Sequence, residues 1–155
     1  MANINDISDY IVVKLSDSGS LVNVLKLHKL LYYTQAWSLA FGRGRLFDER
    51  FQAWVHGPVS RQIYNRYPQK TLYSAITLDD INPRFDSRSI SSDERAFVDG
   101  VLEVYAPFTG AQLEEMTHIE QPWIEARAGA APNERSENVI SESTMQSYYA
   151  ARMNG

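Results

Sequence analysis

The stretch LVNVLKLHKLLYYTQAWSLAF, residues 21–41, decides the fold because its pattern is that of a helix apolar on nearly all sides. Apolar residues fill most of its positions and leave only a narrow polar stripe through Lys26, Lys29 and Tyr33. A helix that is apolar nearly all round is normally buried. We therefore expect residues 21–41 to form a central, buried helix.

Short sequence signals predict where other helices begin. The segment over residues 5–15 has apolar residues at helical spacing, and Asn5 or Asp6 can cap it. Capping boxes, in which Ser or Thr precedes Glu or Gln by three residues, begin at Ser91, Thr109 and Thr117. The helices that follow these boxes are predicted over residues 92–105, 110–117 and 119–128. Ser141 can cap a last helix that runs through Tyr149.

A short strand is predicted over residues 51–55, because the side chains alternate in character along it. One face would carry Phe51, Ala53 and Val55. The opposite face would carry Gln52, Trp54 and His56. An exposed tryptophan beside a histidine is a suitable anchor for a partner, so Trp54 stands out in this segment.

The segment after this strand is predicted to turn at Gly57-Pro58, with Pro58 as the first residue of a short helix through Tyr67. Residues 68–91 have the composition of a loop, with a second strand predicted over 72–76. The fold class is therefore mainly α with a minor β element (α+β minor). We expect a single compact domain over residues 1–155, with about six to seven helices.

The composition is typical of a globular cytoplasmic protein. Hydrophobic residues make up 44% of the chain and charged residues 22%, close to globular averages. The absence of cysteine excludes disulfides and thiolate chemistry and fits a reducing compartment. No apolar run approaches the roughly 18 residues of a membrane span, and the N-terminus lacks the pattern of a secretion signal. We expect a cytoplasmic protein without a membrane partner.

The charges are distributed unevenly along a chain whose net charge is −4. Residues 26–70 contain eight basic residues against only Asp48 and Glu49, whereas residues 99–125 contain six acidic residues and no Lys or Arg. Such asymmetry can steer an oppositely charged partner, although solvated helix faces produce it as well. The basic residues are scattered through apolar sequence, which argues against a nucleic-acid patch.

Residue patterns for catalysis are missing from the sequence. The three histidines, His28, His56 and His118, are scattered and form no metal-binding motif. The glycines at 42 and 44 lack the rest of a phosphate-binding loop. We therefore predict no catalytic residue, no metal and no cofactor. An enzyme whose site folding assembles from the three histidines and nearby carboxylates remains an alternative.

Three stretches taken together resemble a known family. The first is KLHKLLYY at residues 26–33, followed by AWSL at 36–39. The second is LFDE at 46–49 with FQAWVHGPV at 51–59, and the third is LEEMTHIEQPW at 113–123 with Ala126-Arg127. Over roughly residues 22–127 the chain resembles the Panacea antitoxin domain, the SocA-like family of phage-associated proteins.

The resemblance implies a type II toxin–antitoxin role, in which the protein binds and neutralises a cognate protein toxin. Toxins of such antitoxins include small alarmone synthetase-like enzymes, and one member is a proteolytic adaptor that presents its toxin to a protease. Family genes are often carried on prophages. Some members have an N-terminal DNA-binding domain; because only about 20 residues precede the family region here, we expect no direct DNA binding.

The motif residues themselves are mostly of the kind that a core or a helix start requires. A scaffold that serves unrelated partners must take its specificity from its variable surface. Four partner-binding candidates lie on the framework: Tyr33, Trp54, His56 and Trp123. Glu114 and Glu115 are added as acidic residues against which a basic toxin would dock.

Overall fold

The structure, a computed structural model, describes residues 1–153 and contains seven α-helices and one β-hairpin within that range. The helices are α1 (Ile4–Asp17), α2 (Val24–Ala40), α3 (Arg61–Arg66), α4 (Ser92–Tyr105), α5 (Gly110–His118), α6 (Gln121–Arg127) and α7 (Glu142–Ala150). The hairpin consists of β1 (Phe51–Trp54) and β2 (Gly57–Ser60), which pair antiparallel. The predicted mainly α class with a minor β element is confirmed.

Helix α2 is the central element, as its sequence predicts. It packs against α1, α4, α5, α7 and strand β2. Asn23 caps the helix by accepting a hydrogen bond from the Lys26 amide at 2.8 Å. One cluster of buried apolar side chains draws residues from all seven helices. The helix is therefore the common surface on which the other elements bury their apolar faces.

The polar stripe of α2 is also buried, which its sequence did not predict. The Lys26 ammonium donates to the Ala106 carbonyl at 2.7 Å, and that of Lys29 donates to the Pro58 carbonyl at 2.9 Å. The Tyr33 hydroxyl donates to Glu120 at 2.8 Å. Buried polar groups need such partners, and here all three partners come from other elements of the fold.

The hairpin keeps the predicted alternation over residues 51–54 but turns earlier than predicted. Val55, expected on the apolar face of a strand over 51–55, lies in the turn and is partly exposed. Phe51 and Ala53 are buried, while Trp54 on the other face is partly exposed. Trp54 pairs with Gly57, so the tight turn is made by Val55 and His56, and the prediction of a turn at Gly57-Pro58 is wrong.

Pro58 lies within β2 and does not begin the following helix. It pairs with Ala53, whose amide donates to the Asn138 carbonyl and whose carbonyl accepts from Arg127. Both backbone groups of Ala53 are thus used elsewhere, and the missing amide hydrogen of proline costs the pair nothing. Helix α3 begins at Arg61 because the Ser60 hydroxyl caps it, accepting from the Ile63 amide at 3.2 Å.

Three single-residue bridges join otherwise irregular segments to neighbouring backbone, and two of them bear on the predictions. Val139 bridges to Gln52, flanked by 2.8 Å hydrogen bonds that attach residues 138–140 to the outer edge of β1. Ala75 bridges to Asn23, so the strand predicted over residues 72–76 is wrong. The first attachment matters for the site, because it carries residues 135–137 alongside the hairpin.

Two of the three predicted capping boxes are confirmed, those at Ser91 and Thr109. The third is wrong: Thr117 lies in the last turn of α5 and donates to the Glu114 carbonyl at 2.7 Å. Helix α6 begins at Gln121 after Glu120, whose side chain makes no capping bond. Helix α1 is capped by Asn3, and the predicted caps Asn5 and Asp6 fall inside it.

The last helix is capped by Ser141, as predicted. Within residues 1–153, no helix combines the length and the apolar character that a bilayer crossing requires. The prediction of a single domain over residues 1–155 extends to Asn154 and Gly155, which lie outside the described residues.

Candidate protein-binding site

The three recognisable sequence segments meet beneath the β-hairpin. Lys29 of α2, Gly57 of β2 and Thr117 of α5 are in direct contact there. A Cβ atom on Gly57 would lie 2.7 Å from Lys29 Cε and 2.9 Å from Thr117 Oγ1, and the backbone φ of Gly57 is +100°. Both the space and the backbone conformation therefore require glycine.

Lys29 and His28 attach α2 to β2 from below. Both side chains are fully buried. Burial lowers the pKa of Lys29 to about 7, although the nearby Glu114 carboxylate opposes the shift. Burial, followed by the Lys29 charge, holds the pKa of His28 well below its ordinary value. His28 Nδ1 accepts from the Ser60 amide at 3.3 Å, so both groups serve as supports of the strand.

A second buried polar group centres on Glu120. Its Oε1 accepts hydrogen bonds from Tyr33 and Tyr149, each at 2.8 Å, and Tyr149 shares a 3.1 Å bond with Tyr32. Burial raises the pKa of Glu120, while the two tyrosine hydrogen bonds oppose that rise. This network links α2 and α7 to the start of α6.

Tyr33 has no exposed surface, which contradicts the prediction that it binds a partner. Its ring stacks on that of Tyr105 at a centroid distance of 4.1 Å. A side chain enclosed in this way has no contact area to offer a partner in this structure. Its hydroxyl instead holds the Glu120 carboxylate.

Trp123 is likewise a support and is only 8% exposed. Its indole Nε1 donates to the Trp54 carbonyl at 2.8 Å, and its ring stacks on His118 at 4.1 Å. The Arg127 guanidinium covers the ring at 5.1 Å and also donates to the Ala53 carbonyl. Through these contacts α6 fixes the backbone of β1.

The outer side of the hairpin presents the remaining predicted residues. The Trp54 ring is partly exposed and meets Tyr64 edge-on at 4.9 Å. The His56 side chain is 43% exposed, and its Nδ1 lies 3.1 Å from Glu114 Oε1. Glu115 follows on the exposed surface of α5. Four of the six predicted contact residues thus reach solvent.

A groove of about 300 Å³ opens beside Trp54. Its lining comprises Trp54, Val55, His56, Arg61, Tyr64, Arg135, Ser136 and Glu137. The Arg61 guanidinium lies 4.9 Å from the Trp54 ring. Sequence reasoning missed Arg61 and Arg135, because they are distant in sequence and only the pairing of residues 138–140 with β1 brings them together.

A second, larger groove of about 730 Å³ lies between α2, α4 and the end of the chain. Its lining is mostly apolar and includes Trp37, Phe41, Phe97 and Val104. Phe41 is 54% exposed. This groove shares no lining residue with the first.

The three histidines have different direct contacts, although the charges of Glu114, Lys29 and His56 also act on His118. His28 contacts Ser60 beneath the hairpin, His56 contacts Glu114, and His118 stacks on Trp123. Within residues 1–153, no group of three or more His, Cys, Asp or Glu side chains is placed to hold a metal ion.

Comparison with known proteins identifies one family. Residues 27–124 match the family model described as antitoxin SocA-like, Panacea domain. No curated protein matches the chain, and no solved structure matches it. The family match confirms the resemblance based on the three sequence segments. Arg135, Ser136 and Glu137 of the smaller groove lie beyond the matched range.

Proposed function

The chain belongs to the family of SocA-like antitoxins with a Panacea domain, and we propose that it binds and neutralises a protein toxin by direct contact. The observation that supports this proposal is that buried and exposed residues around the hairpin have different roles. Family-segment residues such as Lys29 and Trp123 are buried as supports, and they hold Trp54 and His56 at the surface.

We propose that the toxin contacts the outer side of the hairpin and the adjoining face of α5. Trp54 supplies an aromatic surface of the kind that dominates protein interfaces. His56, Glu114 and Glu115 supply polar and acidic groups at its border. Acidic groups at the border of an interface favour a basic partner surface and accelerate association with it. Neutralisation then follows because the hairpin and α5 cover the toxin surface that they contact.

Co-expression with the neighbouring open reading frame tests the function itself. The neighbouring product is expected to arrest growth when expressed alone and to be harmless when this protein is present. A harmless neighbour, or growth arrest that this protein does not relieve, would contradict the antitoxin role. Purified toxin and antitoxin should in addition co-elute as a complex.

Toxin abundance distinguishes occlusion from the proteolytic adaptor. Occlusion leaves the cellular lifetime of the toxin unreduced when this protein is co-expressed. A shortened lifetime that depends on a cellular protease would instead favour the adaptor. Both outcomes retain a toxin partner, so this measurement tests mechanism separately from function.

A further inference from the structure

The smaller groove beside Trp54 has an unusual charge arrangement. Arg61 on one wall and Arg135 on the other both donate to the Glu137 carboxylate, the second at 3.2 Å. Two guanidinium groups therefore share a single carboxylate, which leaves one positive charge uncompensated within the groove. Among residues 1–153, Glu137 is the only side-chain hydrogen-bond partner of either guanidinium.

The aromatic rings of Trp54 and Tyr64 form the floor of the groove, and the Arg61 guanidinium lies above them. Arg61 lies 4.9 Å from the Trp54 ring centroid and 5.8 Å from that of Tyr64. Cation–π contact with these two rings restrains the Arg61 guanidinium while its side chain remains 39% exposed. A fork held in this way and open to solvent suits a carboxylate, which it can bind through two parallel hydrogen bonds.

We propose that this groove receives an acidic side chain, aspartate or glutamate, of the toxin, with Arg61 and Arg135 as its ligands and Trp54 as the adjoining aromatic contact. This inference rests on the proposed function and specifies the partner chemistry at one part of the same surface. In the free protein Glu137 occupies the place of the incoming carboxylate. Binding transfers one or both guanidiniums to the toxin.

The two walls of the groove differ in origin. Trp54, Arg61 and Tyr64 lie in the part of the chain that matches the family, whereas Arg135 and Glu137 lie beyond it. A loop outside the family-matched range can vary while the scaffold stays the same, which allows one scaffold to bind different partners. The loop supplies both the second cation and the competing anion.

A protein carboxylate fits the surroundings better than a nucleic-acid phosphate. The net charge of the chain is −4, and Glu114 contacts His56 at the border of the same groove. A nucleic acid would bring a row of phosphates against these carboxylates, and its affinity depends on many cationic contacts. A single acidic side chain needs only the one uncompensated charge.

The test is the affinity of the purified toxin for four variants, measured by calorimetry. Arg61→Gln and Arg135→Gln are each expected to weaken binding about tenfold. Arg88→Gln is the matched control, because Arg88 is an exposed arginine that pairs with Asp86 and does not line the groove. Its affinity should stay within about twofold of wild type.

The direction of the affinity change in Glu137→Gln distinguishes this inference from a purely structural role of the ion pair. Removing the competing carboxylate is expected to strengthen toxin binding about threefold or more, because both guanidiniums become free for the toxin. If the Arg61–Glu137 pair only holds the loop in place, Glu137→Gln will weaken binding as Arg61→Gln does, and the inference is overturned.

The remaining outcomes separate this inference from the proposed function. Wild-type affinity in both arginine variants overturns the groove assignment while leaving the antitoxin role intact. A wild-type protein that binds no toxin overturns the proposed function itself. Tight binding of a short DNA duplex by wild type, lost in Arg61→Gln, would assign the groove to phosphate and contradict a protein carboxylate.

Discussion

The two sides of the β-hairpin differ in what their residues do. On the inner side, Gly57 and Pro58 are in contact with the buried Lys29. On the outer side, Trp54 and His56 are partly exposed, and their neighbours are charged side chains at the surface. Close packing makes the inner side intolerant of change, whereas the outer side can vary without loss of the fold.

Under the proposed function, this difference separates the residues that identify the family from those proposed to select a partner. The recognisable segments supply most of the supports, which include two buried polar networks. Tyr149 of the second network comes from α7, outside these segments. Buried polar groups of this kind destabilise the fold when one partner is lost. We therefore expect inner-side substitutions to reduce stability and outer-side substitutions to reduce toxin affinity.

The largest effect is expected for Gly57→Ala, which places a methyl group against Lys29 and Thr117. Steric overlap and a positive φ together should lower the free energy of unfolding by about 3–5 kcal/mol. Gly44→Ala is the control, because Gly44 has φ +77° but open space around its Cβ position. That variant should lose only about 1 kcal/mol. Equal losses in chemical denaturation would remove the packing argument.

Glu120 tests the second buried network through two substitutions of different chemistry. Glu120→Leu leaves the hydroxyls of Tyr33 and Tyr149 without their acceptor and should cost about 2–4 kcal/mol of unfolding free energy. Glu120→Gln keeps an oxygen that can accept both bonds, so it should cost less than about 1 kcal/mol. Denaturation curves that do not distinguish the two variants would show that the hydrogen bonds contribute little.

Lys29 should make stability depend on pH in a predictable direction. Burial lowers its pKa to about 7 in the folded protein, whereas an unfolded lysine keeps its proton to about pH 10.4. The unfolded state therefore binds more protons between these values, and the Lys29 contribution to stability rises with pH. From pH 7 to 9 the gain is about 2 kcal/mol.

The pH measurement compares wild type with Lys29→Met. The difference in unfolding free energy between the two proteins should grow from pH 7 to pH 9, because methionine has no proton to release. A constant difference across this range would mean that the lysine titrates in its ordinary range despite burial. Both curves must be measured at one salt concentration, so that screening of surface charges is the same.

The sequence was sufficient to predict elements whose signals are local. The apolar pattern of residues 24–40, the alternation over residues 51–54 and the capping box at Ser91 are each contained within a single helix, strand or helix start. Pro58 was misassigned because its place in β2 depends on the Ala53 backbone being bonded to Asn138 and Arg127. That information lies far away in sequence.

The candidate site was predictable only in part, for the same reason. Trp54 and His56 could be placed on one face by strand alternation alone. Tyr33 was predicted to bind a partner but is buried, and its hydroxyl donates to Glu120, which lies between α5 and α6 far along the chain. Arg61 and Arg135 carry no local signal, since each is an ordinary surface arginine until the loop after α6 pairs with β1.

The smallest effect is expected at the border of the proposed interface. Glu115→Lys reverses an exposed charge and should weaken binding of a basic toxin surface by about 0.5 kcal/mol, with a weaker dependence of association rate on salt. Glu115 suits this test better than Glu114, which also contacts His56 and acts on Lys29. An unchanged association rate at low salt would exclude docking against this part of α5.

The most direct test of the account compares one exposed aromatic residue from each groove. Trp54→Ala and Phe41→Ala are made in the full chain, and toxin affinity and unfolding free energy are measured for both. We expect Trp54→Ala to weaken toxin binding at least about tenfold and Phe41→Ala to leave it within about twofold. Wild-type affinity in Trp54→Ala, together with loss of binding in Phe41→Ala, would contradict the account and place the toxin in the apolar groove between α2 and α4.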